Sequence, residues 1–297
     1  MAVSETTEFL PGDPTTGRPP LPRGETVELA GRGTTFVRHV NGAGDGATTL
    51  LLHGWTVTGA LNWFPHYAAL AEMGPVISID HRGHGRGIRT DTPFLLEDAA
   101  DDAAALVDAL GCGPVVAVGY SMGGAIAQLL AHRRPDLVAG LVLSATWSSG
   151  PSTPRLNRLL RLAGAGGLAV RKLPEDRQQR LVERAFRLVQ RPTDAERPQW
   201  FIDEVRSASM PHVIDAGAEL ARFDSRAWLP DLRMPTSVLV TSRDTLVSPG
   251  HQHVLASRIG HATIASVPID HAGVVVDPDV YREPLVQAVA QVSGRDA

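Results

Sequence analysis

Gly119-Tyr120-Ser121-Met122-Gly123 puts a serine at the centre of a Gly-x-Ser-x-Gly motif. The apolar run Val115–Val118 leads into it, and good helix formers from Met122 to Leu130 lead out. A serine between a strand and a helix sits on a tight turn, with Gly119 and Gly123 permitting close backbone approach. Its hydroxyl then projects from a rigid strand end beside the positive end of a helix, where free N–H groups can stabilise an oxyanion. The plainer reading of such a serine is a helix N-cap. As a nucleophile it needs a positioned base to take its proton, and histidine suits that role near neutrality. Eleven histidines are available.

Two histidine pairs, His81 with His84 and His251 with His253, have metal-like spacing. Neither is joined by the further ligands that a zinc site needs, so no metal is expected. Gly83-His84-Gly85-Arg86-Gly87 lacks the Lys-Ser or Lys-Thr of a phosphate-binding loop. No Gly-x-Gly-x-x-Gly opens the first α/β unit, so no nicotinamide site and no cofactor are expected. Asp80 and His84 read as hydrogen-bond partners that organise their loop.

The elements that must position these groups alternate along the chain. Apolar runs at Glu25–Ala30, Thr35–Val40, Thr48–Leu52, Pro75–Asp80, Val115–Gly119 and Gly140–Leu143 read as strands. Helical stretches lie near Trp63–Glu72, Leu95–Leu110 and Met122–Arg134, with Glu97, Asp98 and Asp101 near the start of the second. This is the pattern of a mostly parallel sheet covered on both faces. Residues 147–230 break the rhythm with helical segments at Arg155–Leu162, Asp176–Val189, Gln199–Ser207 and Val213–Ala221. Strands at Thr236–Thr241 and Thr263–Pro268 and helices at Pro249–Ile259 and Tyr281–Val292 then resume it. The expected division is an extended or poorly ordered arm at 1–24, an α/β core at 25–146 and 231–297, and a helical insertion at 147–230.

Composition narrows the functional classes. The chain has 297 residues, a formal net charge of −4 and 43% hydrophobic residues. That balance gives no support to nucleic-acid binding or a polybasic membrane anchor. No run reaches the length of a transmembrane segment, and residues 1–24 lack a signal-peptide core. A single cysteine, Cys112, precludes an internal disulfide and fits a reducing, cytoplasmic setting. Residues 150–200 carry eleven Arg or Lys against five Asp or Glu. This basic stretch could steer an anionic substrate or touch a membrane surface; it also suits a solvated helical face.

Leu50-Leu51-Leu52-His53-Gly54-Trp55, Asp80-His81-Arg82-Gly83-His84-Gly85 and Gly119-Tyr120-Ser121-Met122-Gly123-Gly124 together resemble the α/β-hydrolase superfamily, in its branch of serine esterases and lipase-like enzymes with a helical cap. The resemblance covers residues 25–292. It implies an eight-stranded, mostly parallel sheet flanked by helices, with the nucleophile Ser121 after the fifth strand. It also implies an oxyanion hole from the backbone N–H groups of Trp55 and Met122. His271, in Asp270-His271-Ala272-Gly273 beyond the last strand, matches the family's catalytic histidine. Asp244, in the loop after Thr236–Thr241, matches its acid and would fix the histidine tautomer. Competing candidates are His53 as base and Asp270 as acid. The position after the sixth strand, where some relatives carry the acid, holds Ser144.

Trp55, Trp63, Phe64, Tyr120 and Met122 lie in or beside these segments and are expected to form an apolar pocket, with Trp147, Met210 and His212 on the far wall. Core packing is the alternative for Trp63 and Phe64. Because the elbow carries serine rather than aspartate, acyl transfer on small to medium carboxylic esters is the expected chemistry. The same groups would suit a carbon–carbon bond hydrolase, a lactonase or a cofactor-free perhydrolase. A non-catalytic binding protein on this fold is the reading from another class. The expected partner is a small-molecule ester, and the chain is expected to be a monomer or homodimer.

Overall fold

A computed structural model describes residues 9–150, 170, 172–174, 176–178, 180 and 198–294. The helical expectation at Arg155–Leu162, most of that at Asp176–Val189 and most of the basic stretch lie outside the described residues. Eight strands form the main sheet: β1 (Gly24–Leu29), β2 (Gly33–Val40), β3 (Thr49–Leu52), β4 (Val76–Ile79), β5 (Val115–Tyr120), β6 (Val138–Ser144), β7 (Thr236–Thr241) and β8 (Thr263–Val267). Their spatial order is β1-β2-β4-β3-β5-β6-β7-β8. β2 pairs antiparallel with β1 and β4, and every other pairing in this sheet is parallel.

Parallel strands need helical crossovers, which bury both faces and explain why β3, β4 and β5 are buried throughout and mostly apolar. Alternation along β5 divides the core in two. Val115 and Ala117 join the cluster under α3 (Leu96–Leu110) and α4 (Met122–Arg133), while Val116, Val118 and Tyr120 join the opposite one. That second cluster includes residues of α1 (Gly59–Trp63) and α2 (Tyr67–Ala71). Pro65 separates these two short helices where the sequence pattern predicts one continuous stretch, because proline cannot continue a helix ladder.

Between β6 and β7 the described residues form α5 (Gln199–Arg206) and α6 (Met210–Arg222). After β7 come α7 (Pro249–Ile259), then β8, the short α8 (Gly273–Val276) and α9 (Pro278–Val292). Residues 9–22 fold back on themselves rather than trailing: Phe9–Leu10 pairs antiparallel with Leu21–Pro22, and Leu21 is fully buried. The arm also reaches α5, where the Trp200 N–H donates to the Thr16 carbonyl at 2.9 Å. No described helix is long and apolar enough to cross a membrane.

Beyond β3 and β4, three buried imidazoles pack together. The His53 ring centroid lies 4.3 Å from that of His81 and 5.5 Å from that of His84. Burial lowers the pKa of His53 to about 4 and of His84 to about 3, and holds His81 well below its ordinary value. All three are neutral in the folded chain, whereas an unfolded chain takes up these protons near pH 6.5. Stability should therefore fall as pH drops below that value, by about 2 kcal/mol each for His53 and His84 by pH 5. Urea midpoints compared between pH 7.5 and pH 5 check this, and a flat profile would contradict it.

Candidate active site

β5 and α4 meet at Ser121, whose backbone is held at φ 54° and ψ −114°. This is a strained setting for a non-glycine residue. The close crossing of strand and helix demands the flanking glycines. A Cβ at Gly119 would lie 2.3 Å from the Gly123 carbonyl oxygen, and one at Gly123 would lie 2.0 Å from that of Leu52. The Ser121 N–H donates to the Ser144 carbonyl at the end of β6, at 2.9 Å. Ser121 is thus tied to a neighbouring strand while its side chain points off the sheet end.

Three side chains from separate parts of the chain form a hydrogen-bonded line. Ser121 Oγ lies 3.0 Å from His271 Nε2, and His271 Nδ1 lies 2.7 Å from Asp244 Oδ2. An N–H on Nδ1 donating to the carboxylate leaves Nε2 free to accept the serine proton. Asp244 is held on several sides. Its Oδ1 accepts the N–H groups of Leu246 and Val247 at 2.8 and 2.9 Å, and its Oδ2 also accepts from Thr241 Oγ1 at 2.9 Å. Gln252 on α7 secures that loop, donating to Thr241 Oγ1 and to the Val247 carbonyl, both at 2.8 Å.

Neither competing candidate is arranged for the task. His53 uses both ring nitrogens: Nδ1 donates to the Gly54 carbonyl at 2.7 Å, and Nε2 accepts the His81 N–H at 2.9 Å. Asp270 turns its carboxylate to the Ala272 N–H at 2.9 Å.

The loop after β3 abuts the serine. A Cβ at Gly54 would lie 3.6 Å from Ser121 Cβ, and Asn62 Oδ1 holds the Gly54 N–H at 3.0 Å. The next amide is that of Trp55, and the one following the serine is that of Met122 at the start of α4. Among the described residues neither amide hydrogen has an acceptor. Two such donors beside a serine on a strained turn can stabilise negative charge that develops on a carbonyl oxygen. Among the described residues no group of three or more His, Cys, Asp or Glu side chains is placed to hold a metal ion.

The expected pocket residues need correction. Tyr120 and Trp63 are buried in the core, with ring centroids 6.3 Å apart, not on a wall facing the serine. Strand alternation explains Tyr120, since it shares the face of Val116 and Val118. Its hydroxyl donates to the His271 carbonyl at 3.0 Å, and burial raises its pKa well above the ordinary phenol value, which keeps the proton in place. Trp147 is likewise a core residue, in the cluster with Ala216 and Leu220 of α6. Met210 is half-buried at the start of α6. Its neighbours Ser209, Pro211 and His212 line a cleft of about 450 Å³ together with Arg89 and Thr90.

Asn62, Thr241, Gln252 and Tyr120 hold these positioning roles without belonging to a motif that marks them for it. Gln252 carried a signal: with Leu255, Ala256 and Ile259 it lies on the buried face of α7, a polar group at a helical-core position.

Comparison with known proteins agrees with this fold. The family model for the alpha/beta hydrolase fold matches residues 49–278. A protein of Azorhizobium caulinodans provisionally named carbamate hydrolase RutD is 30% identical over 264 residues, covering 83% of this chain and 92% of its own. Among solved structures, a thermophilic esterase from Thermogutta terrifontis superposes with a TM-score of 0.70 at 24% identity, covering 91% of this chain and 99% of its own. The enol-lactonase of Burkholderia xenovorans LB400 gives 0.72 at 19% identity, covering 90% and 100%. At these identities the two structures speak for the fold.

The close approach of α4 to the end of β3 gives a direct test. Gly123→Ala should destabilise the protein by about 3 kcal/mol or prevent folding, since its new methyl meets backbone that cannot yield. A urea midpoint within error of the parent would refute the close approach of α4 to Leu52.

Proposed function

The chain belongs to the alpha/beta hydrolase family and is a hydrolase, and from that premise we propose that it cleaves carboxylic esters through an acyl-enzyme on Ser121. The observation that carries this reading is the line from Ser121 through His271 to Asp244, with contacts of 3.0 and 2.7 Å.

In this reading the Ser121 hydroxyl attacks the ester carbonyl carbon as its proton passes to His271 Nε2. Asp244 stabilises the resulting imidazolium. The carbonyl oxygen becomes an oxyanion that accepts hydrogen bonds from the Trp55 and Met122 amides. Collapse of this intermediate breaks the carbon–oxygen bond, and His271 returns the proton to the leaving alkoxide. A water molecule then repeats the sequence on the acyl-enzyme, releasing the acid and restoring Ser121. The helices between β6 and β7 act as a cap in this scheme, limiting the substrate to a small or medium ester.

The similarity to the protein named as a carbamate hydrolase favours one second reading. A carbamate presents the same carbonyl to the same groups, with nitrogen on one side, and would pass through a carbamoyl-enzyme.

Hydrolysis of a panel of short- and medium-chain aryl esters and an aryl carbamate separates the two. Faster turnover of esters supports the first reading, and turnover of the carbamate alone would replace it with the second. A fluorophosphonate probe should label the parent protein and not Ser121→Ala. Asp244→Asn should fold normally and lose turnover by about 10⁴-fold, because the imidazole then sits in the wrong tautomer. Near-normal turnover in that variant would remove Asp244 from the mechanism.

A further inference from the structure

The residues after the His53-Gly54 pair, Trp55 to Thr58, are held at both ends by the helices between β6 and β7. At one end the Trp55 indole N–H donates to the Val213 carbonyl of α6 at 2.8 Å. At the other, Thr58 Oγ1 donates a hydrogen bond to Glu204 of α5. The same Thr58 oxygen accepts the Leu61 N–H at 3.1 Å and so caps α1. Glu204 is thereby bonded to the side chain that fixes where α1 begins.

Glu204 is well enclosed, with a side chain only 12% exposed. Its other carboxylate oxygen lies 3.4 Å from Arg86 Nη2. Arg86 stacks over the Phe36 ring at 4.0 Å, and its backbone N–H donates to Asp80 Oδ2 at 2.9 Å. The second Asp80 oxygen accepts the Gly59 N–H, also at 2.9 Å, which returns the network to the residue after Thr58. Between the two anchors Thr56 has φ 67°, a left-handed conformation that a β-branched residue adopts only when its surroundings enforce it.

We propose that Trp55 and Glu204 are positioning residues through which α5 and α6 set the geometry of the oxyanion-binding loop. The inference rests on the ester-hydrolase reading and extends it. In that reading the amide of Trp55 donates to the reacting carbonyl, and the indole on the same residue is moored to α6. Rotation that would swing the amide out of line also pulls the indole off Val213. Glu204 holds the far end of the loop in the same way, so the loop keeps its reactive shape only while both helices are seated.

The test compares Trp55→Phe and Glu204→Ala with the parent on an aryl ester and on the matching thionoester, in which sulfur replaces the carbonyl oxygen. Sulfur is a weaker hydrogen-bond acceptor, so the thionoester gains less from an oxyanion hole. In each variant kcat for the ester should fall by about 10- to 100-fold, as misplacement of a catalytic group predicts. KM should change little, and the thionoester rate should fall much less. Glu204→Gln, which keeps an acceptor for Thr58, should recover most of the lost ester rate. A merely structural role would lower the melting temperature and leave the ester-to-thionoester ratio at its parent value, and that result would overturn the proposal. Should Glu204→Ala fail to fold, Trp55→Phe decides alone, since it retains an aromatic ring at the site. A parent that resists fluorophosphonate labelling and hydrolyses neither substrate would remove the ester-hydrolase reading and this inference with it. A labelled parent with unchanged ratios in the variants would remove the inference only.

Discussion

One backbone conformation organises the molecule. Holding Ser121 at φ 54° costs about 1–3 kcal/mol, which the surroundings must supply. They do so from three directions. β5 lies in the interior of the sheet between β3 and β6, so the strand that delivers the serine cannot slide. The Ser144 carbonyl takes the serine amide. α4 then presses so closely against β5 at Gly119, and against the end of β3 at Leu52, that Gly119 and the helix's own second residue must both be glycine. The turn stays sharp because nothing around it can relax, and sharpness is what lifts the hydroxyl clear of the sheet and towards His271.

The parts of this arrangement that follow from local pattern were readable in the sequence. Apolar runs such as Val115–Val118, and a serine bracketed by glycines, are local signatures, and the eight strands fall within a few residues of where such patterns place them. Side-chain direction was less legible. Tyr120 is next to Ser121 in the chain, and proximity suggested a pocket wall, yet alternation along β5 sends it into the core. Trp63 and Trp147 follow the same logic, because large apolar rings near a site pack into the nearest core unless the backbone turns them outward. Contacts between distant polar residues were not legible at all. Nothing in the motif around Asp244 specifies that Gln252 will brace its loop, or that Glu204 will meet Thr58.

Buried charge has a further structural use in the loop after β4. Asp102, almost fully buried on α3, accepts hydrogen bonds from Arg82 at 2.7 Å and from Arg32 at 2.5 Å. Asp98 adds a second carboxylate to Arg82 at 2.9 Å. A carboxylate in such a place is tolerated only when paired and hydrogen-bonded. The pairing fixes the loop to α3 on one side, while Asp80 fixes it to α1 on the other. The acids near the start of α3 looked like dipole partners from their position alone. In the fold Asp98 anchors Arg32 and Arg82, and Asp101 anchors Arg133 of α4.

Ser121 and His271 are separated by 150 residues of chain. On a ribosome working at about 5–20 residues per second, roughly 8–30 s pass between the synthesis of the alcohol and that of its base. Throughout that interval the Ser121 hydroxyl lacks the His271 contact on which the proposed mechanism depends. In the proposed mechanism the ordering of the chain thus acts as a safety catch during birth: the base that activates Ser121 arrives with the segment between β8 and α8, after the bulk of the protein already exists to contain it.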